Sequence, residues 1–172
     1  SMQHITTLSI CSSADLFSVC YGCAYSDRFA MSISTKVLLT RCFKHPLQWR
    51  APAAVDLKTL EDYQHAHWIF TNIAAMNWEL IPTIVANMKY SVVEYDYKFC
   101  KWRSPDKHKA LGGEDCNCAN EMQGKIFSAF LYGAQTLWWM SEKQQDSYHT
   151  MFPFLLERSN VVLSSIFDDQ SF

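Results

Sequence analysis

From Val55 onward the apolar residues of this chain recur at intervals of three and four, and that spacing is the strongest constraint on what it can fold into. Leu60, Tyr63, His67, Phe70 and Ala74 share one stripe, so a helix is expected over 57–76 with Asp56 as its N-cap. Asn77 is placed to cap a second helix over 78–100. Pro82 is tolerated there because it falls in or near the first turn, where backbone N–H groups lack helical partners. Ile81, Val85, Met88, Val92, Tyr95 and Phe99 line one side of it, with Ile84 and Tyr90 beside them, an apolar face wide enough for a central helix.

The segment 101–120, with Ser104-Pro105-Asp106 and Gly112-Gly113, reads as the longest loop. Ile126, Phe127, Phe130, Ala134, Leu137 and Trp138 then predict a third helix over 121–140. Ser141 and Gln144 match a capping box for a helix running to about Glu157, and Asn160 is placed to cap a short terminal one. Nearer the N-terminus, Leu16, Val19, Cys20 and Cys23 fit one helix and 33–42 another, while 6–10 alternates like a strand and 44–55 is a connector. The expected fold is all-α: a single domain over 2–172, a bundle of six to eight helices around a central buried helix, with Ser1 a tag remnant ahead of Met2.

Composition agrees with a packed core. Hydrophobic residues make up 49% of the chain and Gly and Pro supply only five residues each, which excludes disorder. A net charge of -2 without a basic run excludes a nucleic-acid footprint. No apolar stretch is long enough to span a bilayer and no signal peptide is recognisable, so a cytoplasmic location is expected. The seven cysteines, an odd number, fit reduced thiols better than a disulfide framework.

Few residues point to chemistry. Cys20, Cys23, Cys116 and Cys118 could supply four thiolates to zinc, although one half is CxxC and the other only CxC; buried core thiols are the simpler reading. Glu61 and His65 share a helix face with His67 nearby, but a second Glu-x-x-His is lacking; Cys42 with His45 is equally unsupported. There is no nucleophile elbow and no phosphate loop, so no enzyme, catalytic residue, cofactor or metal is expected. Five tryptophans, Trp68, Trp78, Trp102, Trp138 and Trp139, fall on or beside the expected helices, and either Trp138 or Trp139 should face outward. An exposed aromatic rimmed by polar residues marks a recognition site, so binding of a partner through a groove is expected.

The run from Trp68 through Asn77-Trp78 to Ile81 resembles the central region of Bcl-2 proteins, where an amphipathic segment ends just before an Asn-Trp that opens the buried hairpin helix. Glu79 and Leu80 stand where that family has Gly and Arg. The stretch Ser128 to Trp138, rich in small residues, is similar to divergent poxvirus Bcl-2-like proteins. The resemblance implies a helical bundle without cofactor that modulates apoptosis or innate-immune signalling through an apolar groove or helix face, with Trp78, Ile81, Val85, Met88, Phe130, Trp138 and Trp139 as the groove residues. Its partner would be a BH3-type helix, a signalling adaptor or a second copy of the chain. The competing reading is a helical small-molecule- or zinc-binding domain, marked by convergence of the four cysteines above or of Glu61, His65 and His149.

Overall fold

The computed structural model describes residues 18–21, 48–50, 52–71, 73 and 75–163. It is an α/β fold, which corrects the all-α expectation. Among the described residues six strands form one sheet: β1 (Ser18–Tyr21), β2 (Gln48–Arg50), β3 (His67–Phe70), β4 (Lys89–Glu94), β5 (Thr136–Trp139) and β6 (Ser159–Val162). Their order is β2-β1-β3-β4-β5-β6, and every pairing is parallel, with His67 opposite Lys89, Val92 opposite Leu137 and Thr136 opposite Ser159. The helices are α1 (Leu57–Asp62), α2 (Ile81–Asn87), α3 (Pro105–Gly112), α4 (Met122–Gly133) and α5 (Glu142–Met151).

Each long helix expected from the spacing is a short helix followed by a strand. Asp56 does cap α1, accepting from the Thr59 N–H at 2.7 Å, but the helix stops at Asp62 and His67–Phe70 is β3. Asn77 caps a single 3-10 turn, Trp78–Leu80, that leads into α2, and residues 89–94 are β4. Similarly, α4 ends at Gly133 before β5, and Asn160 lies within β6 rather than at a helix start. The capping at Ser141 holds: its hydroxyl accepts from the Gln144 N–H at 3.2 Å, while the Gln144 side chain reaches back to the Met140 N–H at 2.8 Å. Residues 18–21, read as helix, are a strand; the expectations over 6–10 and 33–42 lie outside the described residues.

The physical reason is that a parallel strand buried on both faces is a short continuous apolar run, and periodicity alone cannot tell such a run from a turn of buried helix. Alternation along the strands sorts side chains to two faces. Trp68 and Phe70 of β3, Tyr90 and Val92 of β4, and Leu137 and Trp139 of β5 meet the helices, where they join Ile81, Ile84, Phe127, Phe130, Leu131 and Tyr148 in the main core. Aromatic rings dominate this layer: Phe130 stacks on Tyr90 at 5.1 Å and meets Phe70 edge-on at 5.3 Å. Tyr90 also donates its hydroxyl to the Phe130 carbonyl at 2.6 Å. Ile69 and Val93 point to the opposite face, where Tyr95 and Trp138 pack on them. The bundle around a buried helix that the Bcl-2 resemblance implies is thus replaced by helices laid on a sheet. No helix among the described residues is long and apolar enough to cross a membrane.

Candidate metal centre

In a parallel sheet every strand delivers its C-terminal end to the same edge. At that edge β4 ends in Glu94, which alternation turns toward the helices and burial removes from water. Its carboxylate meets Lys98 Nζ at 3.0 Å and accepts from the Tyr148 hydroxyl at 2.9 Å; Lys98 also reaches Asp96 at 2.8 Å. Burial pushes the Glu94 carboxyl up, with Lys98 and the Tyr148 hydroxyl pulling the other way, and burial together with the charge of Glu94 raises the Tyr148 phenol as well. This network fixes the start of the crossover from β4 to β5.

Four residues of that crossover converge. Cys100 follows the fully buried Phe99, and its turn is closed by N–H bonds from Cys100 to the Tyr97 carbonyl (2.9 Å) and from Arg103 to the Cys100 carbonyl (2.8 Å). Ser104 caps α3 through the Lys107 N–H, Pro105 occupies its first turn, and Gly113 ends it at φ 75°, a left-handed position suited to glycine. The segment read as the longest loop therefore holds a helix, and that helix carries His108 inward. The chain then turns back through Cys116 to Cys118, which opens a 3-10 turn over Cys118–Asn120. Gly124 in the first turn of α4 lets the helix press on that turn, since a Cβ there would collide with the Cys118 carbonyl and Ala119.

The ligand atoms of Cys100, His108, Cys116 and Cys118 all lie within 4.8 Å of one another. His108 Nδ1 is 3.4 Å from Cys118 Sγ and 3.6 Å from Cys100 Sγ. With Zn–S near 2.3 Å and Zn–N near 2.0–2.1 Å, a tetrahedron has S···N edges of about 3.5 Å, so these distances fit one ion at the centre. The three thiols are free, with Cys100 and Cys118 buried. Burial first, and then the neighbouring cysteine side chains, push the Cys116 thiol up to about 12. A cation at the centre would favour the Cys116 thiolate against that burial. Three soft sulfurs and one imidazole within reach of a single ion suit Zn²⁺, and four protein ligands would leave no open position for substrate.

Among the described residues this is the one group of three or more such side chains. It takes Cys116 and Cys118 from the sequence-derived set but joins them to Cys100 and His108. Cys20 lies on β1 and Cys23 outside the described residues. Glu61 lies on α1, His65 follows it in a turn, His67 on β3 bonds Ser91 Oγ at 3.0 Å, and His149 on α5 faces Asn160 at 3.3 Å. The local density C-x7-H-x7-C-x-C was the signal available for the set found here.

The residues expected to line a groove lie at different depths. Ile81, Met88, Phe130 and Trp139 are buried, Val85 is partly exposed on α2, and Trp78 is half-buried against Phe127. Trp138 and Trp139 do point to opposite sides, as consecutive strand residues: Trp139 lies against Tyr148 at 4.8 Å and Trp138 against Ile69 and Val93. No protein-family model matches the chain, and no curated protein matches it.

Proposed function

We propose that this chain is a zinc-binding α/β domain in which Cys100, His108, Cys116 and Cys118 hold one structural Zn²⁺. The observation that carries this reading is the convergence of three free thiols and an imidazole nitrogen, all within 4.8 Å of one another, in a single crossover. The ion would fasten α3 and the start of α4 to the turn at Cys100. That places a rigid wall at the edge where parallel α/β sheets take their ligands. A closed four-ligand site supplies folding energy rather than chemistry at the metal.

The test is metal content by mass spectrometry on protein purified without chelators. One zinc per chain is expected, falling below a tenth in Cys100→Ser and in Cys118→Ser. Wild-type protein that remains folded and takes up no zinc on reconstitution would overturn the reading.

A further inference from the structure

Beside the metal centre, Trp78 separates two depressions that share it and Gln123. One is open, about 460 Å³, and lined by Trp78, Ile126, Gln123 and the exposed Met122. The other, about 110 Å³, is large enough for one small anionic group and is lined by Lys98, Lys101 and Arg103 together with Cys100, the metal-centre thiol. Lys98 is committed to Glu94 and Asp96, and Arg103 turns one nitrogen, Nη1, toward Asp96 at 3.4 Å. Lys101 is exposed and makes no ion pair with the described residues.

Arg103 is the one non-glycine residue among those described with positive φ, at 55°, and the bonds from its N–H to the Cys100 carbonyl and from the Tyr97 N–H to its carbonyl keep it there. Left-handed backbone at a branched or long residue persists only where its surroundings impose it, and such positions concentrate at ligand clamps. Lys101 and Arg103 are therefore presented on a turn held by its own backbone bonds, in a depression that Trp78 also lines. α4 begins at Met122 on the same wall without a side-chain cap, which adds the positive end of a helix but does not define the site.

We propose that this cleft binds a phosphate monoester with a flat aromatic body, the phosphate on Lys101 and Arg103 and the ring over Trp78. Lys101, which has no ion pair among the described residues, and the nitrogens of Arg103 other than Nη1 offer positive charge to a phosphate, and the adjoining space is too large for the anion alone. An aromatic ring on Trp78 gains stacking that an alkyl chain would not. The inference goes beyond zinc binding, since the turn that presents the cations is closed by its own backbone bonds.

The experiment is isothermal titration of the full zinc-loaded chain with 1-naphthyl phosphate, uridine monophosphate, inorganic phosphate and 1-naphthol. Either ester should bind at least about tenfold more tightly than phosphate or naphthol. The tighter of the two would tell a nucleoside phosphate from another aryl phosphate. Lys101→Glu and Met122→Glu, both at exposed positions, should each weaken ester binding about tenfold or more without changing zinc content or the circular dichroism spectrum. Esters that bind no better than their fragments, or equally well to Lys101→Glu, overturn the proposal while one equivalent of zinc leaves the metal reading standing. Ester binding by protein that cannot be loaded with zinc would overturn the metal reading alone.

Discussion

Glu94 is a carboxyl enclosed by protein, and burial rather than a charged neighbour has the greatest hold on it. A carboxyl whose folded pKa lies above its unfolded one binds more protons in the native state. Stability conferred by its protonated form is then full at low pH and declines as pH rises past the ordinary glutamate value of 4.5 toward the raised one. Glu94→Gln keeps the shape and removes the titration, so its unfolding free energy, from urea titrations at several pH values, should lose the part of the decline that begins near that value. An unchanged slope would mean that the Lys98 pairing cancels the effect of burial. Gly124 is the steric counterpart. In an ordinary helix Gly→Ala gains about 1 kcal/mol. Here the added methyl would strike backbone atoms of Cys118 and Ala119, which cannot rotate away, and overpacking of about 1–3 kcal/mol should prevail. Gly124→Ala is expected to lower the melting temperature and to weaken zinc retention against a chelator.

The elements show what could be read from the residues and what could not. The helix starts at Asp56, Asn77 and Ser141 were legible, because each cap accepts from a backbone N–H only two or three residues further on. Helix ends and strands were not. His67-Trp68-Ile69-Phe70 and Tyr90-Ser91-Val92-Val93 each continue the three-and-four spacing of the helix before them, and only burial on both faces, a property of the assembled sheet, distinguishes the two states. The metal set was half legible: Cys116 and Cys118 stood out as a pair, but His108 rides on a helix hidden in a polar stretch. That helix is short and strongly polar, with exposed residues on most of its surface, so its order should depend on the ion. Stripping zinc should raise amide hydrogen exchange across 100–121 while β3, β4 and α4 beyond Phe127 keep their protection. Equal loss of protection throughout would instead show that the metal supports the whole domain. Because the thiols must ionise to bind, zinc loading should release protons and its apparent affinity should fall as pH drops.

At the level of the whole molecule, a sheet in which all neighbours run the same way has no hairpins. No strand pair can be made by a tight turn; each waits for an entire crossover to close, and the entropic cost of closure is met before the pairing rewards it. Such a chain belongs with the slower folders, and the crossover from β4 to β5 is the longest that must close among the pairings from β3 onward. The cysteines and histidine sit inside that span. An ion captured by the unfolded chain would shorten the effective loop before the sheet exists, so refolding followed by tryptophan fluorescence should be faster in zinc than in chelator. The same four side chains that brace the finished domain would then also set how quickly it is reached.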